Sequence, residues 1–180
     1  MKSKVIDGSL DLIKFQPKIF SDKRGYFLEQ FNQSIFKKAV GRNLNVLQQN
    51  QSESKKNTLR GLHYQYKNTQ GKLISVIEGE ILDVVVDVRK QSQTFGKYFS
   101  IKLSGTNKES LWVPRGYAHG FLVLSSKAIF SYLVDNIYDP SSEETILWND
   151  KVLNINWGLE KPLVSEKDKK GKNFLDANHL

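Results

Sequence analysis

The chain has 180 residues, with 27 Lys and Arg against 19 Asp and Glu, which gives a formal net charge of +8. A chain of this length predicts a single domain with its own core, and we expect that domain to span residues 1–180. The sequence contains no cysteine, which excludes a disulfide scaffold, a thiolate metal site and a cysteine nucleophile.

One helix is predicted near the N-terminus. Asn32 is a suitable N-cap, the apolar residues between 35 and 40 form one face, and Gly41 stands where a helix usually ends. Most later segments combine β-branched or aromatic residues with turn residues at their ends, a pattern typical of strands. The predicted strands cover residues 72–77, 81–88, 98–103, 111–113, 121–124 and 128–134.

Many short strands with few helices predict a mainly β fold, either a sandwich or a barrel. A second short helix near the C-terminus is only weakly marked. Residues 160–180 are rich in charged residues, and we interpret them as a polar, partly mobile tail.

The excess positive charge is compatible with a nucleic-acid surface, an anionic small ligand or an ordinary solvated surface. The basic residues fall in short groups, and Glu160, Glu166 and Asp168 interrupt the basic tail. This pattern favours the solvated surface and makes nucleic acid the least favoured partner. No apolar run is long enough to span a bilayer and no signal peptide is visible, so we expect a cytoplasmic protein without a membrane partner.

Two of the three histidines lie in segments that suggest chemistry. His63 follows Arg60 and Gly61, and His119 follows Arg115 and Gly116, each at the predicted edge of a strand. Histidine is the side chain best suited to proton transfer near neutral pH. For either histidine taken alone, a structural hydrogen bond is the stronger interpretation.

A metal site is not predicted. Small β-barrels of the cupin class often carry a His-x-His pair as metal ligands. The corresponding stretch here reads His63-Tyr64-Gln65, so the second imidazole is absent. We therefore expect neither a metal nor another cofactor.

A site for proton transfer needs a base, an acid and a cation that stabilises negative charge. Asp83 lies in an apolar run, where an unpaired carboxylate is costly, and a partner such as His119 or Arg89 is expected for it and for Asp87. Tyr132 lies in a predicted strand and is able to donate a phenolic proton, and Lys72 begins another strand. Packing and solvation are the ordinary roles of these two residue types. The residue pattern alone thus predicts a β-barrel with a two-histidine site.

Several motifs resemble the signature of the dTDP-4-dehydrorhamnose 3,5-epimerase family, and together they extend over roughly residues 5–170. They lie at residues 20–27, 57–65, 70–73, 79–80, 83–89, 92–96, 112–121, 148–150 and 165–168. The resemblance implies a cupin-type jelly-roll barrel that works as a homodimer without a metal. The implied substrate is dTDP-4-keto-6-deoxy-D-glucose, inverted at C3 and C5 on the route to dTDP-L-rhamnose.

The resemblance also implies roles for individual residues. His63 is the general base and Asp168 its partner, and Tyr132 is the acid on the other face of the sugar. Lys72 stabilises the enolate together with His119, which Asp83 supports. The remaining matched positions are implied to hold the nucleotide-sugar, and they are Arg24, Glu29, Gln48, Gln49, Asn50, Arg60, Glu143 and Lys167. Arg24 and Glu29 are implied to reach across the dimer.

Some alternatives stay open at this stage. Gln49 stands where the family commonly has Asp, which affects a base or ribose contact. Tyr138 is also chemically able to be the acid, although Tyr132 fits the motif better. Related enzymes invert only one centre or move the ketone, and a cupin that binds a sugar nucleotide without catalysis is a further alternative. The order of inversion and the final deoxysugar do not follow from the sequence.

Overall fold

The computed structural model describes residues 1–7 and 11–180. The strands within these residues are β1 (Lys2–Asp7), β2 (Leu12–Gln16), β3 (Ile19–Asp22), β4 (Gly25–Leu28), β5 (Gln48–Lys55), β6 (Leu59–Gln65), β7 (Lys72–Glu78), β8 (Glu80–Asp87), β9 (Tyr98–Ser104), β10 (Ser110–Val113), β11 (Tyr117–Val123), β12 (Lys127–Val134) and β13 (Glu143–Thr145). The helices are α1 (Gln33–Val40) and the short α2 (Glu166–Lys169), followed by a 3₁₀ turn at Phe174–Asp176. Within these described ranges, none of the helices is both long and apolar enough to span a membrane.

Two antiparallel sheets form the body of the fold. The first has the strand order β1-β2-β10-β7-β12-β5 and the second β13-β6-β11-β8-β9. Ile74 and Phe130 of the first sheet share a core cluster with Ile81 and Phe121 of the second, so the sheets face each other. The predicted mainly β, cupin-type jelly-roll barrel with a few short helices is confirmed.

Each sheet has a cover on its outer face. Helix α1 covers the first sheet through Phe36, whose ring lies 5.7 Å from that of Phe15 and 5.0 Å from that of Trp112. The C-terminal segment covers the second sheet through Trp157 and Phe174, both buried. Residues 160–180 therefore differ from the predicted polar tail, because a few apolar side chains among the charged ones pack against the sheet.

The predicted helix has the expected ends. Asn32 Oδ1 accepts a hydrogen bond from Ile35 N at 3.1 Å, and Gly41 closes the helix with φ +84°. The strand predicted at 121–124 is longer than expected, since β11 begins at Tyr117. His119 therefore lies inside β11, and His63 lies inside β6, so neither is at the edge of a strand as predicted. The two histidines are directly paired between these strands.

Strands β6 and β11 approach each other closely at a pair of glycines. Gly61 has φ +112°, and a Cβ atom there would stand 2.5 Å from Gly120 Cα and 2.7 Å from the His119 carbonyl oxygen. These distances are too short for any side chain, so Gly61 is required both by its conformation and by its surroundings. The glycine pair sets the separation of the two strands that carry the histidines.

We expect Gly61→Ala to lower the free energy of unfolding by about 2–4 kcal/mol, because positive φ and steric overlap add. The matched control is Gly158→Ala, since Gly158 has φ +70° with no atom near its would-be Cβ, so that only the backbone cost of about 1 kcal/mol remains. Urea unfolding of both variants measures the difference. Equal losses would contradict the close approach of the strands.

Candidate active site

A cavity of about 210 Å³ opens between the two sheets. Residues from β5, β7 and β12 line one wall, and residues from β6 and β11 line the other. The lining consists of Asn50, Gln51, Ser52, Arg60, His63, Tyr64, Gln65, Gln70, Lys72, His119, Gly120, Phe121, Phe130, Tyr132, Tyr138 and Glu143. Seven of these residues are predicted site residues, and Tyr138 is the predicted alternative acid.

A histidine–carboxylate pair lies on the wall formed by the second sheet. His63 Nε2 and Asp168 Oδ1 are 2.7 Å apart, and Asp168 Oδ2 accepts a hydrogen bond from Gly61 N at 3.3 Å. Burial would raise the pKa of Asp168, but the hydrogen bond and charge of His63 outweigh it and hold that pKa below its usual value. An ionised Asp168 that accepts Nε2–H leaves Nδ1 of His63 as the proton acceptor.

Helix α2 fixes the position of Asp168. Ser165 caps this helix, and its Oγ accepts a hydrogen bond from Asp168 N at 3.0 Å. The carboxylate is 4% exposed, whereas His63 is 30% exposed. The C-terminal segment thus supplies a shielded carboxylate to a histidine that keeps access to the cavity.

A second histidine–carboxylate pair stands beside the first. His119 Nε2 is 2.8 Å from Asp83 Oδ2, and Asp83 is fully buried. Asp87 pairs with Arg89 at 2.8 Å, so both expected partners for the buried aspartates are confirmed. In the described residues, no group of three or more His, Asp or Glu side chains is arranged as a metal site.

Lys72 brings an ammonium group into the cavity from the first sheet. Its side chain is buried, and Nζ donates a hydrogen bond to the His63 carbonyl oxygen at 3.3 Å. Burial lowers the pKa of Lys72 to about 8, although the charges of Asp83 and Glu143 act in the opposite direction. At neutral pH the group is therefore charged but poorly solvated, a state suited to stabilising an anion.

This pKa predicts a limit on activity at alkaline pH. If the ammonium is the active form, its fraction falls as the pH rises through about 8, and kcat should fall with it. We expect Lys72→Met to lower kcat by about 10²-fold and to remove this limb of the pH profile. The exposed Lys102 on β9 provides the control, because Lys102→Met should leave the profile unchanged. An unaltered limb in Lys72→Met would contradict the assignment.

Tyr132 faces the histidines from the opposite sheet. It lies on β12, where it pairs in register with Asn50 of β5 and Ile74 of β7. Burial raises the pKa of Tyr132, and a hydrogen bond with Asn50 partly opposes this. The phenol keeps its proton at neutral pH and is available as an acid.

Tyr138 has a different environment. It is 47% exposed, and its hydroxyl donates a hydrogen bond to Glu143 Oε2 at 2.5 Å. Lys167 binds the same carboxylate oxygen. Burial would raise the pKa of Glu143, but the hydrogen bonds from Lys167 and Tyr138 outweigh it and lower that pKa. Tyr138 therefore belongs to a polar group at the exposed side of the cavity.

Other predicted binding residues lie on or beside the cavity. Arg60 lines it and donates from Nε to Ser54 Oγ at 2.9 Å. Gln48 supports the cavity residue Asn50 through a hydrogen bond of 2.7 Å to its Oδ1. Lys167 reaches the cavity through Glu143.

Three predicted binding residues lie elsewhere. Gln49 is exposed and donates to Ser131 Oγ at 3.3 Å. Because strand residues alternate, it lies on the face of β5 opposite to Gln48 and Asn50, and its contact with a substrate stays a prediction. Arg24 binds Asp22 within the β3–β4 hairpin, and Glu29 accepts a hydrogen bond from Asn32.

Several cavity residues are not among the predicted site residues. Ser52, Phe121 and Phe130 line the cavity, and alternation provides a signal for each of the three. Ser52 follows Asn50 by two positions on β5, and Phe130 precedes Tyr132 by two on β12, so each shares the face of its predicted neighbour. Phe121 lies two residues after His119 in the same way.

The fold and this site define a class of protein. A jelly-roll barrel with a His–Asp pair on one wall, a protonated tyrosine on the other and a buried ammonium group is a cupin-type barrel organised for acid–base chemistry on an anionic intermediate.

Comparison with known proteins identifies the family within this class. Residues 9–176 match the family model described as dTDP-4-dehydrorhamnose 3,5-epimerase. The enzyme of that name from Shigella flexneri is 50% identical over 171 residues, which cover 94% of each chain. The chain belongs to the dTDP-4-dehydrorhamnose 3,5-epimerase family.

Solved structures agree with this assignment. The dTDP-6-deoxy-D-glucose-3,5-epimerase of Legionella pneumophila, in complex with dTDP-4-keto-L-rhamnose, is 42% identical with a TM-score of 0.92, covering 97% of this chain and 94% of that one. A 3'-monoepimerase from Streptomyces bikiniensis, in complex with dTDP-quinovose, is 32% identical with a TM-score of 0.87, covering 92% and 84%. The fold thus accommodates both double and single epimerases.

Proposed function

We propose that this protein inverts C3 and C5 of dTDP-4-keto-6-deoxy-D-glucose to give dTDP-4-keto-L-rhamnose, an isomerase reaction of dTDP-L-rhamnose biosynthesis. The observation that carries the proposal is the arrangement of His63 with Asp168 on one wall of the cavity and Tyr132 on the other. Inversion of a carbon centre requires a base and an acid on opposite faces of the sugar. The family of the chain supports the same reaction.

The chemistry of the substrate fits these residue types. The hydrogens at C3 and C5 are acidic because the C4 ketone delocalises the charge left behind. His63 removes the proton, and the electron pair of the C–H bond forms an enolate whose oxygen lies against Lys72 and His119 in this scheme. Tyr132 then donates its proton to the opposite face of the same carbon.

Each inversion changes the protonation state of both catalytic groups. His63 leaves the step as an imidazolium stabilised by Asp168, and Tyr132 leaves it as a phenolate. Transfer of one proton from His63 to Tyr132 through solvent restores the starting state. The second centre is then inverted by the same pair of groups, so one acid and one base are sufficient for both carbons.

The nucleotide part of the substrate requires cations and amide groups. Arg60 and Lys167 are the cations assigned to the diphosphate, since charge-assisted hydrogen bonds to phosphate oxygens are strong. Asn50 and Gln48 are assigned to the nucleotide-sugar as neutral hydrogen-bonding groups, and Glu143 positions Lys167.

The β3–β4 hairpin supports a homodimer as the working form. It forms a separate two-stranded sheet, and Phe20, Tyr26 and Phe27 on it are each more than half exposed. An apolar surface of this kind is typical of a protein interface. Arg24 and Glu29 are then assigned to the cavity of the partner subunit. Sedimentation equilibrium should give twice the chain mass, and a fully active monomer would contradict this assignment.

Proton NMR of dTDP-4-keto-6-deoxy-D-glucose in deuterated water tests the reaction. We expect deuterium to enter at both C3 and C5 and the product to have the L-rhamno configuration. Deuterium at one centre only would indicate a single epimerase of the Streptomyces bikiniensis kind. Tight binding of the nucleotide-sugar without any exchange would indicate a binding protein and overturn the proposal.

A further inference from the structure

A buried carboxylate lies just outside the cavity and has no part in the mechanism above. Asp135 directly follows strand β12, and its side chain is 1% exposed. Arg42 Nη2 donates to its Oδ2 at 2.8 Å, and Arg115 Nε lies 3.1 Å from its Oδ1. Two half-exposed guanidinium groups thus pair with this buried carboxylate.

The same carboxylate holds the residue that precedes Lys72. Gly71 N donates to Asp135 Oδ1 at 2.7 Å, and Asp135 N donates in return to the Gly71 carbonyl oxygen at 3.2 Å. Gly71 has no room for a side chain, because a Cβ atom there would overlap the indole ring of Trp112. Gly71 is therefore fixed by two reciprocal hydrogen bonds and by packing.

Lys72 itself has little to hold its ammonium group. The hydrogen bond from Nζ to the His63 carbonyl oxygen is long, at 3.3 Å. The position of the ammonium group therefore depends on the backbone of Lys72. Lys72 is the first residue of β7, and it pairs with Val113 of β10 and Val134 of β12. A flexible side chain of this length needs a rigid origin to place its charge accurately.

The adjoining loops are joined at a second point. Gln70, which lines the cavity, donates from Nε2 to the carbonyl oxygen of Asn136 at 2.9 Å. The segment before Lys72 and the segment after Asp135 therefore lie against each other along consecutive residues. Asp135 is the charged member of this contact and the one that links it to Arg42 and Arg115.

We propose that Asp135 is a positioning residue of the epimerase: its carboxylate, neutralised by Arg42 and Arg115, fixes the backbone at Gly71 and thereby holds the Lys72 ammonium at the enolate oxygen. The role of Lys72 rests on the proposed function, whereas the contact of Asp135 with Gly71 does not. Loosening this contact should admit water to Lys72. Its pKa, which burial lowers, should then rise.

The test compares Asp135→Ala and Asp135→Asn with the wild-type enzyme. Asparagine has one acceptor oxygen where three hydrogen-bond donors converge on the two oxygens of Asp135, so it should have a milder effect than alanine. The matched control is Asp87→Ala, because Asp87 is also buried and paired with an arginine, but its carboxylate accepts hydrogen bonds from Arg89, Ser92 and Thr94 and not from Gly71.

Two readouts separate positioning from a general loss of stability. We expect kcat to fall by ~10–100-fold in Asp135→Ala with KM within twofold, as a small misplacement of a catalytic group predicts. The second readout is NMR titration of the Lys72 ε-methylene, assigned with Lys72→Met. Its midpoint should rise by about one pH unit towards the ordinary lysine value. The charges of Asp83 and Glu143 act on this titration in every variant. The other titratable or charged groups that line the same cavity are Arg60, His63, His119, Tyr132 and Tyr138.

The outcomes are decisive when all variants are measured well below their melting temperatures. A fall in kcat with an upward Lys72 midpoint, absent from Asp87→Ala, supports the proposal. Wild-type kcat in Asp135→Ala, or a lower kcat with an unchanged midpoint, overturns it. If Asp135→Ala does not fold, the midpoint of the Lys72 titration in Asp135→Asn is used instead: an upward shift supports the proposal, and an unchanged midpoint overturns it. Failure of the wild-type enzyme to epimerise would overturn the proposed function and leave the Lys72 titration as an independent result.

Discussion

Replacement of His63 by alanine is expected to lower kcat by about 10³-fold, because a positioned general base contributes ~10²–10⁴-fold to proton transfer. His63 Nε2 lies 2.7 Å from Asp168 Oδ1, and no other imidazole among the described residues pairs with this carboxylate. Deuterium exchange at C3 and at C5 should stop together, since a single base is proposed for both centres.

Two further variants test whether the loss of activity in His63→Ala is specific to the His63–Asp168 pair. Asp168→Asn should keep the imidazole but lose the charge that stabilises its protonated form, and we expect a smaller fall in kcat, of about 10²-fold. His179→Phe is the control, because His179 packs between Phe95 and Phe174 outside the cavity. Exchange that persists at either carbon in His63→Ala would show that another base serves that centre.

Replacement of Tyr132 by phenylalanine should separate proton removal from inversion. His63 can still form the enolate and return a proton from solvent to the same face. We therefore expect deuterium to enter the sugar while its configuration is retained, and the rate of inversion to fall by about 10²-fold or more. NMR measures exchange and inversion in the same sample.

Tyr138→Phe provides the matched control for this experiment. Tyr138 also lines the cavity, but its hydroxyl is committed to Glu143. Its loss should weaken substrate binding, seen as a higher KM, and leave inversion coupled to exchange. The reverse pattern, with inversion lost in Tyr138→Phe and retained in Tyr132→Phe, would assign the acid to Tyr138.

Local signals explain why much of the fold could be predicted. The Asn32 cap and Gly41 mark the helix through hydrogen bonds within a few residues. Strand β9 shows the alternation of a half-buried strand, and β8 is a nearly continuous apolar run. The expected partners of Asp83 and Asp87 followed from the cost of an unpaired buried charge. The helix ends and the Asp87–Arg89 pair lie within short stretches of sequence. The cost of burying an unpaired charge predicts a partner for Asp83 however distant that partner is in the sequence.

Long-range packing explains what could not be predicted. Phe174 stands among charged residues, so the local composition indicates a solvated tail. It is a core residue because it packs against the outer face of the second sheet, which is distant in the sequence. The side of β5 that Gln49 occupies depends on register with β12. The environment of Asp135 likewise requires three distant segments to meet, which no local pattern indicates.

The active-site residues were identified chiefly by family resemblance. The pattern around His63 and His119 indicated a two-histidine site, but not which histidine is the base. The structure distinguishes them physically, because His63 retains contact with solvent whereas His119 is 8% exposed. Their pairing across β6 and β11 could not be read from the sequence, since 56 positions separate them.

The pairing of His63 with Asp168 has a consequence for how the enzyme matures during synthesis. The two residues are separated by 105 positions, and Asp168 is translated after the last described strand, which ends at Thr145. A nascent chain can therefore assemble the barrel around His63 before the ribosome has released helix α2. Because Asp168 can reach His63 only when this later segment docks, we expect catalytic competence to appear after the barrel has folded.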